Sequence, residues 1–164
     1  MDRLWAPWRI DYIKSEKEKG CIFCDKPAEG DDRSMLILYR GENSFVIMNL
    51  YPYNNGHLMI APYQHTDSTH ELNSSSRSEI MELADQIMTI QKNIMNADGF
   101  NYGANIGYSG GAGIANHIHF HIVPRWAGDT NFMPVLGHTK VQVQGLRDCY
   151  DSLKPHFDRI NITN

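Results

Sequence analysis

One stretch of the chain repeats its apolar residues at a helical spacing. Ile80, Leu83, Ile87, Ile90 and Ile94 follow one another at intervals of 3, 4, 3 and 4 residues, which is one face of an α-helix. Met81, Met88 and Met95 widen that face. Ser76 and Glu79 fit a capping box at the start, and Asp98-Gly99 marks the end, so the pattern predicts a helix over 76–97. Shorter apolar runs predict strands at 35–39, 45–48 and 58–61, the first two joined through the turn-forming Arg40-Gly41-Glu42-Asn43. Phe100 to Ile106 reads as a strand, and Gly107 to Gly113, with four glycines in seven residues, reads as a loop. From His117 to Val123 imidazoles alternate with Ile118, Phe120 and Ile122, the period of a strand, with Pro124 closing it. The polar segment 25–34 reads as a loop. A strand is expected at 140–143 and a helix at 146–153. The aromatics Trp5, Trp8 and Tyr12 make residues 1–20 an arm docked on an apolar surface, of this chain or of a second subunit. Several strands and one strong helix without regular alternation predict an α+β fold.

At 164 residues the expectation is a single domain. The hydrophobic share of 41% and charged share of 21% are ordinary for a globular protein. No apolar run approaches the roughly 18 residues of a membrane helix, and the first residues lack the pattern of a secretory signal. No membrane partner is therefore expected. Three cysteines are too few and too odd in number for a disulfide scaffold, which points to the cytoplasm. The formal net charge of −4 argues against a nucleic-acid binder but leaves room for a small anionic ligand held locally.

The strongest chemical signal is His117-Ile118-His119-Phe120-His121. On a strand, alternate side chains share a face, about 7 Å apart per step, so the three imidazoles line up. An imidazole titrating near 6.5 is a competent nucleophile or general acid at neutral pH. The preceding Gly107-Tyr108-Ser109-Gly110-Gly111-Ala112-Gly113 lacks the lysine of a Walker loop and is followed by a strand where a dinucleotide fingerprint needs a helix. Beside the histidine row it is a candidate phosphate cradle, with backbone N–H groups as donors. Cys21 and Cys24, two residues apart in Cys21-Ile22-Phe23-Cys24, supply half of a tetrahedral zinc site, with histidines the candidates for the other half.

His117-Ile118-His119-Phe120-His121-Ile122-Val123 resembles the His-φ-His-φ-His-φ-φ motif of the histidine triad superfamily. Asn54-Asn55-Gly56-His57, Leu58 to Pro62 and His65 resemble its upstream segment. The bacterial diadenosine tetraphosphate phosphorylase-like members are the most similar, through Arg3-Leu4-Trp5-Ala6-Pro7-Trp8-Arg9, the Cys21–Cys24 pair, Pro124-Arg125-Trp126 and Gly128-Asp129-Thr130-Asn131-Phe132. The resemblance covers residues 3–143, leaving 144–164 as a C-terminal extension. It implies an antiparallel sheet of about five strands with two helices, dimerising into a longer sheet. It implies a nucleotidyl transferase or hydrolase of nucleoside or dinucleoside polyphosphates, with no organic cofactor. His119 would attack the α-phosphorus, its ring held by the carbonyl of His117, with His121 and His57 at the phosphates. Asn49 would contact ribose, with Phe45 to Leu50 forming the nucleoside pocket. Asn105, Ser109, Gly111 and Gly113 would hold phosphates, and Trp126 would lie near the site. Cys21, Cys24, His65 and His117 would bind a structural zinc. One departure concerns Gly113, which stands where many members carry Gln or Ser reaching the leaving group; it leaves both phosphate and water open as acceptor. The alternatives are a nucleoside phosphoramidate hydrolase, a nucleotide-binding regulator with little catalysis, and a catalytic metal held by His117, His119 and His121.

Overall fold

The computed structural model describes residues 20–129 and 142–160. Residues 1–19 of the expected arm, half of the segment expected as a strand at 140–143, and Thr130-Asn131-Phe132 lie outside the described residues.

Five strands form one antiparallel sheet: β1 (Ile37–Arg40), β2 (Ser44–Met48), β3 (Leu58–Pro62), β4 (Gly99–Gly103) and β5 (Phe120–Arg125), in the order β1-β2-β3-β5-β4. The helices are α1 (Ile22–Ala28), α2 (Asp32–Met35), α3 (Ser74–Met95) and α4 (Leu146–Phe157). Alternation along the strands divides the apolar residues between the two faces of the sheet. Leu38, Val46, Met48, Leu58, Ile60 and Ile122 face α3 and α4 and form the larger core with Ile80, Leu83, Ile87, Leu153 and Phe157. Ile37, Phe45, Ile47, Met59 and Ala61 face the other way and are covered by Phe23 of α1. Each such fully buried side chain contributes roughly 1.5–3 kcal/mol.

The α+β expectation and the five-stranded antiparallel sheet hold. Several local expectations do not. The 25–34 segment is no loop: it carries α1 and α2, the second capped by the Asp31 side chain, which accepts from Ser34 N–H. These helices are too short for a periodic signal. They are held by tertiary contacts, Phe23 in the core and Arg33 paired with Asp151 on α4. The first strand accordingly starts at Ile37, after Leu36 has turned left-handed at φ 64°.

The long helix starts at Ser74 and is capped by Asn73, whose side chain accepts from Ser76 N–H at 2.7 Å, so the capping box is not used. Glu79 instead lies buried, and its carboxylate accepts the N–H groups of Glu42 and Asn43 at 2.6 and 2.7 Å in the β1–β2 turn. Along α3 the buried stripe runs through Ile80, Leu83, Ala84, Ile87 and Gln91, while Ile94 is exposed. The helix ends at Met95 with Asn96 in the left-handed region.

The fourth strand is shorter than expected, ending at Gly103. β5 begins at Phe120, because its pairing with β3 reaches only to Ile60↔Phe120, while Ile118 N–H turns away to Thr66 O at 2.6 Å. Pro124 does not end the strand. It pairs with Phe100 beyond the last β3–β5 pair at Ile122, where only β4 runs alongside. The C-terminal helix extends to Phe157, and Tyr150 on it donates its hydroxyl to Ile37 O at 2.9 Å. Residues 142 and 143 are not strand.

Candidate active site

The sheet face not covered by α3 and α4 carries the histidines. His117 leads into β5, with its ring buried. Its Nε2 lies 2.9 Å from Pro62 O. A carbonyl oxygen only accepts, so Nε2 carries the proton and Nδ1 keeps its lone pair. That Nδ1 sits 3.2 Å from Cys21 Sγ, 3.6 Å from Cys24 Sγ and 3.3 Å from His65 Nδ1, and Cys24 Sγ lies 3.3 Å from His65 Nδ1. The four ligand atoms all lie within 4.8 Å of one another. Tetrahedral zinc with bonds of about 2.0–2.3 Å needs ligand atoms roughly 3.3–3.8 Å apart. The donor set and its spacing therefore fit zinc, and the 21–24 segment, the end of β3 and the entry to β5 come together around the four residues that the resemblance implied.

His119 lies two residues on and is 5% exposed. Its Nδ1 donates to His117 O at 2.8 Å, which leaves Nε2 as the nitrogen with the lone pair. Burial pushes its pKa below the ordinary 6.5, against the opposing pull of that carbonyl, so the ring is neutral at pH 7. Burial lowers His117 in the same way. Phe23 stacks on His119 with ring centroids 4.6 Å apart, a contact hidden in the sequence inside the Cys21–Cys24 pair.

His121 is ordered by His57. Tyr53 N–H donates to His57 Nδ1 at 3.1 Å, and His57 Nε2 lies 2.9 Å from His121 Nδ1. A ring that accepts at Nδ1 carries its proton at Nε2, so His57 donates and His121 accepts at Nδ1. The His121 proton is thereby placed on Nε2. Asn49 lies in the same network, its Nδ2 3.3 Å from His57 Nδ1 and its Oδ1 accepting Tyr51 N–H. Among the described residues, the cluster able to hold a metal joins His117 to Cys21, Cys24 and His65 and not to His119 and His121, which argues against a metal held jointly by the triad.

Asn54-Asn55-Gly56-His57 forms a tight turn closed by His57 N–H to Asn54 O at 3.2 Å, with Gly56 at φ +73°. A Cβ there would also press on the Met95 thioether at 2.7 Å, so the turn favours glycine, chiefly through its positive φ. Asn54 Nδ2 donates to Pro124 O at 3.0 Å and to Asp129 Oδ2 at 2.8 Å. Asp129 in turn holds Arg125 through two bonds of 2.7 and 2.9 Å. Sequence reasoning missed Tyr53, Asn54 and Asp129, because their partners lie up to 75 residues away.

The other expected residues are placed unequally. Asn105 lines a cavity together with His121. Ser109 is exposed in a single helical turn, Tyr108–Gly110. The N–H groups of Gly110, Gly111 and Ala112 donate to the carbonyls of Gly107 and Tyr108. The glycine loop thus closes on itself and spends donors expected to face an anion. Trp126 is half-buried, with its indole N–H on Met95 O at 3.0 Å. Phe45 to Met48 are wholly buried, and only Asn49 and Leu50 emerge at that end of β2.

The family model that matches residues 32–128 is the HIT domain. The chain belongs to the HIT domain family. A relative from Mycobacterium tuberculosis named AP-4-A phosphorylase is 36% identical over 157 residues, covering 90% of this chain and 80% of its own. A HIT protein of Schizosaccharomyces pombe named adenosine 5'-monophosphoramidase is 28% identical over 105 residues, covering 64% of this chain and 74% of its own. The family is thus one of enzymes. Among solved structures, a hypothetical histidine triad nucleotide-binding protein from Sulfolobus tokodaii superposes with a TM-score of 0.66 at 25% identity, over 84% of this chain and 92% of that one. A zinc-bound histidine triad family protein from Mycobacterium smegmatis shares the HIT fold at a TM-score of 0.68 and 21% identity, over 85% of this chain and 94% of its own.

Proposed function

We propose that this HIT-family protein is a nucleotidyl transferase or hydrolase of nucleoside or dinucleoside polyphosphates, working through a nucleotidyl group carried on His119. The observation that supports it most is the His119 ring: neutral, with Nδ1–H held by His117 O at 2.8 Å and the other nitrogen left as nucleophile. In the first step Nε2 forms a bond to the α-phosphorus and the bond to the leaving oxygen breaks, its electron pair leaving with the polyphosphate. A polyphosphate departs as an anion, so it needs a hydrogen bond and no proton. His121 Nε2–H, set by His57, is the donor for it, which answers the absence of a Gln or Ser side chain at Gly113. The His117 carbonyl steadies the positive charge that develops on the His119 ring. In the second step inorganic phosphate or water attacks phosphorus and releases His119 unchanged. Asn49, Asn105 and Trp126 serve as nucleotide contacts in this reading.

Cys21, Cys24, His65 and His117 would hold a zinc ion, with no open position for chemistry. Bound there, zinc supplies a cross-link between the 21–24 segment and the entry to β5. The reading also takes the protein as a cytoplasmic homodimer. Its three free cysteines and the edge at β4, unpaired on its outer side among the described residues, support that, and no helix among the described residues is long and apolar enough to cross a membrane.

Product analysis of diadenosine tetraphosphate tests the reading. ADP and ATP formed only with inorganic phosphate make the protein a phosphorylase. AMP and ATP formed without it make the protein a hydrolase. No turnover of this or of any adenylate bearing another leaving group overturns the proposal.

A further inference from the structure

On the histidine face, β4 runs beside β5 with Gly103 opposite His121, Asn101 opposite Val123 and Gly99 opposite Arg125. The β1–β3 half of this face is sealed by Phe23 and its cluster. The β4–β5 half opens into a cavity of about 400 Å³ lined by Tyr53, Asn101, Gly103, Asn105, His121 and Arg125. Two glycines on this face are not explained by backbone or packing. Neither Gly99 nor Gly103 adopts a positive φ, and among the described residues a Cβ at either would meet nothing within 4 Å. Glycine weakens a strand interior, so its presence needs another reason. At Gly103 its effect is to keep open the space across from His121.

We propose that this cavity is the leaving-group subsite, shaped to take the nucleoside oligophosphate that departs from His119. The inference rests on the function proposed above. His121 donates to the leaving oxygen, so the leaving portion lies on the His121 side, and the space on that side is this cavity. Its lining suits such a group. The amides of Asn101 and Asn105 offer donors and acceptors. Tyr53 offers an aromatic wall, and Arg125 brings a cation to the far end, where Asp129 and Asn101 fix its orientation. The volume falls within the range of about 300–1,000 Å³ usual for small-molecule sites. A substrate with a compact leaving group would leave the cavity unused, so the subsite is a device for selecting long substrates.

The test fills the cavity from Gly103 and compares two adenylates. Diadenosine tetraphosphate has a nucleotide as leaving group, whereas adenosine 5'-phosphofluoridate has only fluoride. Gly103→Val and the smaller Gly103→Ala are made, and thermal melting checks their folding. The expected result is that the ratio of kcat/KM for the tetraphosphate over the fluoridate falls at least tenfold in Gly103→Val and less in Gly103→Ala, through KM. An unchanged ratio in both folded variants overturns the subsite while leaving the proposed function standing. If wild type turns over neither compound, the proposed function falls. Calorimetric titration with ATP then decides the cavity: affinity weakened at least tenfold by Gly103→Val supports it as a nucleotide site, and equal affinity overturns it.

Discussion

His119 uses its two ring nitrogens differently, and the division comes from its neighbours. The His117 carbonyl accepts a hydrogen bond from Nδ1–H, and burial under Phe23 keeps the ring neutral. His119→Ala removes the proposed nucleophile. Turnover is expected to fall by at least about 10³-fold while the protein stays folded and still binds nucleotide, measured by steady-state kinetics and calorimetry. Cys149 shows the opposite residue-scale case, a nucleophilic atom made inert. Burial pushes its thiol from the ordinary 9.0 up to about 11, against a hydrogen bond from Gly56 N–H. The folded state thus disfavours the thiolate. This contribution to stability is intact below about pH 8.5, where the unfolded thiol is also protonated, and is lost as pH rises toward 11. Unfolding free energy should therefore fall between about pH 9 and 11, and Cys149→Ala should flatten that fall in urea titrations.

Among the elements, the β1–β2 hairpin shows how a local signal is reassigned. Ser76 and Glu79 have the spacing of a capping box, yet Asn73 caps the helix. Glu79 closes the hairpin turn through two backbone N–H groups, and Gly41 is needed because a Cβ there would run into the Glu79 carboxylate and lie 2.9 Å from the Ser44 carbonyl oxygen. Glu79→Gln would set an amide N–H₂ against one of those N–H groups. A loss of about 2 kcal/mol or more is expected in denaturant unfolding, with little change in turnover. Helix α3 and the three central strands were legible because each has its own periodicity over enough residues. Helices α1 and α2 were not, at 7 and 4 residues. Their stability comes from Phe23 in the core and from ion pairs to distant elements, which no local window contains.

Across the whole molecule, the four candidate zinc ligands span 96 residues of chain and meet at one edge of the histidine face. Holding one zinc ion, as proposed above, they would cross-link the first described helix and the entry to β5. Cys21→Ser is expected to lower bound zinc to a small fraction of one equivalent and to lower the melting temperature. Chelation of the wild type should reproduce the same fall. Unchanged zinc content and melting temperature would refute the structural-zinc assignment.

The sequence by itself determined the α+β class, the histidine row and the pairing of two cysteines with imidazoles. These follow from side-chain period and from residue chemistry, both of which are local. The tertiary structure alone decided which nitrogen of each ring carries the proton, because that depends on Pro62 O, His117 O and Tyr53 N–H lying within hydrogen-bond distance. It also decided that the glycine loop closes on itself while Gly103 lines a cavity opposite His121. A glycine in the sequence states only that a side chain is missing; the strand register and the neighbours across it state what the missing side chain makes room for.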